Sequence, residues 1–309
     1  TSENDIEETI TQTYVQILYA AESVKVNEST LALSQAQYER GKELFAAGSI
    51  SKADLAQLEA QVSTDRYQLV TAQSSLQDYK LQLKQLLELD GEEEMNLYLP
   101  TLEDSNVLSP LPTKTDVYQA ALALRPEIES SRLNVQASEL NIDIARAGYM
   151  PSISLSAGIG TTNTSGSDYT FAQQVKNGWN NSIGLSVSVP IFNNRQTKSA
   201  VQKAKLQYET SMLSLLDEQK ALYKTIESLW LDANSAQQRY AAANEKLKST
   251  QISYELISEQ FNLGMKNTVE LLTEKNNLLQ AQQEQLQAKY MAILNTQLLK
   301  FYQGDQLAL

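Results

Sequence analysis

The sequence predicts a mainly α-helical chain of long antiparallel coiled-coil helices, interrupted once by a β-hairpin and built as a tandem repeat. Three observations predict this. Apolar residues recur every 3.5 positions over long stretches, the period changes to two after Pro151, and much of the first helical region returns without gaps near the end.

Composition narrows the function before any element is placed. The chain has 309 residues, 42% of them hydrophobic and 20% charged, which suits a folded body; only 11 Gly and 6 Pro allow long unbroken helices. A net charge of −12 without a clustered Lys/Arg surface argues against nucleic acid as a partner. There is no Cys and no His, which removes thiol catalysis, Cys/His zinc sites, His general-base chemistry and disulfide stapling. Phosphate loops, Gly-rich dinucleotide turns and Gly-x-Ser-x-Gly elbows are also missing from strand-to-helix junctions. The chain therefore reads as a non-enzyme with no cofactor and no metal. A carboxylate enzyme built on Glu92, Glu93, Glu94 or Asp143 is the weaker reading, because charge runs are usually solvated faces. No run of about 18 apolar residues exists, so any membrane contact must come from β-strands.

Taken in order, residues 1–90 read as a long helical hairpin, one helix from Asp5 to Ala46 and a second from Ser51 to Leu89. In the second, Leu55, Leu58, Val62, Leu69, Ala72, Leu76, Tyr79, Leu83 and Leu86 follow alternating three- and four-residue steps, broken only at Asp65. That period gives a left-handed coiled-coil seam, and at 1.5 Å per residue each helix is roughly 60 Å long. Residues 91–124 form an irregular segment with an acidic run at Glu92–Glu94, a short strand expected near Leu97, and a short helix from Thr115 to Leu124. In residues 125–150 the Arg125-Pro126-Glu127 step opens another helix, with Pro126 in its first turn.

Residues 151–191 carry the hairpin. Ile153, Leu155, Ala157 and Ile159 alternate with Ser and Gly from Ser152 to Gly160, and Ile183, Leu185, Val187 and Val189 do the same from Ser182 to Pro190. Two nine-residue strands, apolar on one face and small-polar on the other, suit the wall of a membrane barrel. A half-buried soluble hairpin is the ordinary alternative, but its polar face would carry Lys, Glu, Gln or Thr. The connection Thr161–Asn181 reads as an outward-facing loop, with Tyr169, Phe171 and Trp179 placed for an aromatic girdle. Residues 192–303 return to helical period, from Gln196 to Leu263 and from Thr268 to Gln303, leaving 304–309 as a tail.

A shift of 216 residues takes Thr9-Ile10 onto Thr225-Ile226, Leu31 onto Leu247, and Tyr38-Glu39 onto Tyr254-Glu255. It also takes Glu43, Phe45 and Gly48 onto Glu259, Phe261 and Gly264, and Leu55, Ala72 and Leu83 onto Leu271, Ala288 and Leu299. A glycine in register at the break between two long helices, in both copies, indicates a duplication. The β-hairpin occurs once, so its repeat partner is expected before Thr1, in a longer natural chain.

Four local patterns resemble the TolC-like family of outer-membrane efflux proteins over nearly the whole chain. They are Arg125-Pro126-Glu127-Ile128 followed by Ala137, Ile144, Ala145 and Pro151; Ser188-Val189-Pro190-Ile191-Phe192-Asn193 with Arg195, Ala200 and Ala204; and the two Tyr-x6-Phe-x2-Gly runs, Tyr38 to Gly48 and Tyr254 to Gly264. The resemblance implies an outer-membrane channel of a tripartite export system, with a large periplasmic portion. Three copies would form a homotrimer with a twelve-stranded barrel and an α-barrel tunnel, served by a periplasmic adaptor and an inner-membrane pump, with outer-membrane lipid around the strands. A soluble periplasmic coiled-coil adaptor or scaffold is the alternative.

Three sets of site residues follow. Partner docking is expected at the tips, Phe45, Gly48, Ser49, Ile50, Phe261, Gly264 and Met265, where a helix C-cap with left-handed glycine is part of the reading. Ile153, Leu155, Ile159, Ile183, Leu185 and Val187 are expected to face lipid. The resemblance makes Asp54, Lys266 and Glu270 a gate, with Thr273 standing where a further acid is expected, so the acidic ring is thinner and its cation affinity weaker.

Overall fold

The computed structural model describes residues 2–89, 97–98 and 107–305, and the acidic run Glu92–Glu94 lies outside them. Described elements run in the order α1 (Ser2–Ala46), α2 (Lys52–Leu86), α3 (Lys114–Leu124), α4 (Pro126–Ala147), β1 (Ser152–Gly160), α5 (Phe171–Asn177), β2 (Asn180–Ser188), α6 (Gln196–Asn262) and α7 (Thr268–Gln303). The chain divides into two compact units, residues 1–126 with 220–309, and residues 127–219.

In the first unit α1 packs along α2 and α7, and α3 packs on α7. Two apolar clusters among the described residues help to hold it. One joins Val15 and Leu18 of α1 to Ala236 and Tyr240 of α6 and to Leu286, Tyr290 and Ile293 of α7; the other joins Leu58 to Tyr254, Phe261, Leu271 and Leu278. Leu58 and Leu83 of the expected seam are fully buried, and so is the residue that breaks it, Asp65.

Side chains of α6 tie down the segment before α3. Trp230 Nε1 donates to the Pro112 carbonyl at 3.0 Å, and Gln237 Nε2 donates to the carbonyls of Val107 and Ser109, each at 2.9 Å. Lys114 pairs with Glu227 at 3.0 Å while its ammonium sits 4.8 Å from the Trp230 ring centre. Leu97 and Tyr98 form no strand; the Tyr98 carbonyl accepts from the Tyr14 hydroxyl instead. The Arg125-Pro126 step has a physical reason on each side. A residue before proline avoids the helical region, and Arg125 ends α3 at ψ 122° while Pro126 opens α4. The guanidinium of Arg125 is buried against Tyr302 and Phe301, 3.8 and 4.8 Å from their ring centres.

In the second unit Ser138 of α4 and Ser211 of α6 share a hydrogen bond at 2.8 Å. The turn into α6 uses positive φ at Asn194 and Arg195, and Thr197 bonds both Asn193 and the Gly148 carbonyl. β1 and β2 pair antiparallel in a two-stranded sheet. The second strand spans Asn180–Ser188 where Ser182–Pro190 was expected, because Asn180 and Asn181 extend the ladder against Gly160 and Ile159, and Pro190 has no N–H to continue it. The expected loop between the strands contains α5, started by a capping box in which Thr170 and Gln173 bond reciprocally.

Candidate functional site

The two helix reversals of the first unit are copies of one another at atomic detail. In the first, Gly48 N–H donates to the Phe45 carbonyl at 2.9 Å and Ser49 N–H to Leu44 at 2.8 Å; in the second, Gly264 donates to Phe261 and Met265 to Gln260 at the same two distances. Both glycines take φ +75° with nothing near the position a side chain would occupy, so backbone conformation alone demands glycine there. The helix after each turn starts with a capping box, Ser51 with Asp54 and Asn267 with Glu270. The capping residues differ between copies while the backbone turn bonds and the reciprocal box pattern do not.

These turns share a cleft of ≈620 Å³ lined by Gly48, Ser49, Ile50, Asp54, Gly264, Met265, Lys266 and Glu270 among others. Gly48, Ser49, Gly264 and Met265 are exposed and Ile50 is half-buried. The repeat-related aromatics part company. Phe45 is 42% exposed, whereas Phe261 is 3% exposed inside the Leu58–Leu271 cluster, so its ring offers nothing to a partner.

The three expected gate residues meet in this cleft, each engaged locally. The Asp54 carboxylate accepts from the Ser51 hydroxyl at 2.6 Å and the Ser51 N–H at 3.0 Å, which holds its pKa below the usual value. Lys266 donates to Glu270 at 2.6 Å, and this bond, helped by the Asn267 N–H, lowers the Glu270 pKa. Thr273 bonds back to the Val269 carbonyl.

The β-hairpin presents the other surface. Its register sets Ile153 opposite Val187, Leu155 opposite Leu185 and Ala157 opposite Ile183, so the expected lipid-facing residues share one face, with Ile159 beside Asn181. Those six side chains are 59–83% exposed, and apart from half-buried Gly160 every residue of both strands is exposed. On the opposite face Ser154 and Ser186 share a hydrogen bond at 3.0 Å and Ser156 donates to the Gly184 carbonyl. No described helix is long and apolar enough to cross a membrane.

Sequence reasoning missed one cluster. Asp65 on α2, Lys275 on α7 and Ser34 on α1 bond to one another, each at most 2% exposed. The signal was present, since Asp65 is the single charge in an otherwise apolar seam.

The family described as "Outer membrane efflux protein" matches residues 117–304. "Outer membrane protein TolC" of Salmonella enteritidis is 25% identical over 301 residues, covering 94% of this chain and 59% of that protein. "Cation efflux system protein CusC" of Escherichia coli K12 is 26% identical over 294 residues, covering 93% and 61%. A crystal structure of CusC superposes with a TM-score of 0.82 at 20% identity, over 98% of this chain and 69% of that one. The chain thus spans about three fifths of the length of the curated relatives it matches.

Proposed function

The chain belongs to the outer membrane efflux protein family, and from that premise we propose that it contributes to a trimeric channel through which small molecules are expelled across the outer membrane. Residues 151–191 serve as barrel wall, 1–90 and 192–303 as tunnel wall, 91–124 as an equatorial belt, 125–150 as the helix leading to the barrel, and 304–309 as a tail. The periplasmic adaptor docks at the tips, through Phe45, Ser49, Ile50 and Met265 around the turns at Gly48 and Gly264. With the Phe261 ring packed inward, a partner meets its backbone turn. An inner-membrane pump supplies the cargo.

One observation carries the reading: a two-stranded sheet with both faces open, one of them apolar apart from Asn181 at its end. A lone hairpin is marginal in water, and an open edge is not tolerated in lipid, so the strands need neighbours from elsewhere. Several copies joining edge to edge supply them. A soluble coiled-coil adaptor would leave that apolar face without a use.

The test is direct. Full-length protein extracted from outer membranes should run as a trimer in mild detergent and open discrete channels in planar bilayers. A monomer that leaves the bilayer silent would overturn the proposal.

A further inference from the structure

The duplication creates a problem that the repeat itself cannot solve. If α1 with α2 and α6 with α7 are versions of one hairpin, the seams that receive one hairpin also fit the other. Their apolar residues coincide at Leu55 and Leu271, Ala72 and Ala288, and Leu83 and Leu299. Apolar seams of this kind also tolerate a slip of one heptad, because every seventh residue is again apolar. Something outside the shared pattern must select the pairing.

The Asp65–Lys275–Ser34 cluster lies outside it. The carboxylate of Asp65 accepts from Lys275, from the Ser34 hydroxyl and, at 2.9 Å, from Gln61 Nε2, while Lys275 also donates to Ser34. Three helices therefore meet at one buried ion pair, next to the layer of Leu58, Leu271 and Leu278.

The repeat shift reproduces none of this. Asp65 maps onto Ala281, which is also fully buried, and Ser34 maps onto Thr250. Lys275 maps onto Glu59, which is exposed. We infer that the Asp65–Lys275 pair, positioned by Ser34, specifies which repeat hairpin packs against α1 and α2 and fixes its register. Were a second first-repeat hairpin to take the place of α7, Glu59 would face Asp65, and two buried acids would repel with no lysine between them. Were α7 to slip by seven residues, Thr268 would stand opposite Asp65 with Lys275 facing Ala72, or Gln282 would stand there with Lys275 facing Leu58. Each error strands a buried charge, while the native pairing strands none.

This inference does not depend on the channel reading and concerns only how one chain assembles. These 309 residues contain no Cys, and any Cys elsewhere in the full-length chain is first replaced by Ser, so introduced pairs report register without ambiguity. The side-chain amides of Gln61 and Asn276 approach to 3.5 Å across α2 and α7 and mark the native-register pair, and Gln61 with Val269 or Gln283 the slipped pairs; losing the Gln61 bond to Asp65 is common to every background, so the comparison between backgrounds isolates the ion pair. These pairs are oxidised in the full-length protein in three backgrounds: the natural residues, D65L with K275M, and D65K with K275D. The natural background should crosslink only through the pair Gln61→Cys with Asn276→Cys. The apolar background should keep its helical circular dichroism yet gain slipped crosslinks at least fivefold, and the exchanged charges should suppress them again. Native crosslinks alone in the apolar background overturn the inference. So does loss of helical signal there, because the pair would then be needed for folding itself and not for choosing among packings.

Discussion

Replacing Leu185 by Arg tests which face of the hairpin meets lipid. Leu185 lies one residue from the centre of β2, opposite Leu155 and between Ile183 and Val187 on the same face. With a rise of about 3.4 Å per residue and a tilt of about 40°, it falls roughly 3 Å from the barrel midplane. An Arg there costs about 2–4 kcal/mol, near the full midplane value. Ile153 lies three residues from the centre of β1, roughly 8 Å out, so Ile153→Arg should cost an intermediate amount. Ser186→Arg points to the other face and forfeits only the 3.0 Å bond to Ser154, worth at most about 0.5–1.5 kcal/mol and less for exposed groups. The assay is the fraction of full-length protein recovered as assembled trimer from outer membranes. The expected order of damage is Leu185→Arg, then Ile153→Arg, then Ser186→Arg. Equal damage from Ser186→Arg and Leu185→Arg refutes the facing, and greater damage at Ile153 refutes the depth argument.

Cysteines at Ser49 and Met265 should crosslink to the adaptor in cells, and failure at both while other positions succeed removes docking from the tips. Asp54→Ala combined with Lys266→Ala should raise single-channel conductance of the full-length trimer, whereas Asp54→Asn, which keeps an acceptor for the Ser51 cap, separates gating from helix capping; unchanged conductance in the double variant takes these residues out of the gate. Asp54 and Glu270 have lowered pKa values from the Ser51 and Lys266 hydrogen bonds, so both caps contribute stability above the unfolded carboxylate range, about 4, and lose it as pH falls through the lower folded values. Amide exchange at residues 52–55 and 268–271, corrected for the intrinsic rate, should stay level from pH 7 to 5 and rise below about 4; a rise beginning near neutral pH contradicts the assignment.

Long-range order was legible wherever a period sustained it. The 3.5-residue seam of α2 and the helical period elsewhere gave the long helices, the switch to period two gave the hairpin, and the repeat gave two equivalent tips, whose backbone hydrogen bonds agree between copies to a tenth of an ångström. Local order was less legible. α5 escaped because its seven residues are too few for periodicity, and only the Thr170–Gln173 capping box marks its start. Side-chain fate at equivalent positions was not legible at all. Phe45 and Phe261 occupy the same place in the repeat, yet only Phe261 is buried, because its cluster includes Leu58 from the other hairpin. The repeat describes each hairpin alone and says nothing about what packs on it.

That distinction explains why Asp65 looked like a defect. Judged along α2, an acid among leucines is a flaw that a coiled coil tolerates at some cost. Judged across three helices, it is half of a buried pair whose lysine lies 210 residues further along. Burial pushes the Lys275 pKa down, and the hydrogen bond and charge of Asp65 oppose that shift without cancelling it. Removing either one leaves a lone charge inside a packed seam, a loss of about 3–5 kcal/mol, whereas replacing both with apolar groups of similar volume can be neutral. Stability alone therefore gives no reason to prefer the pair over two leucines. What the pair adds is a penalty on every wrong packing, and a duplicated chain with interchangeable seams needs such a penalty.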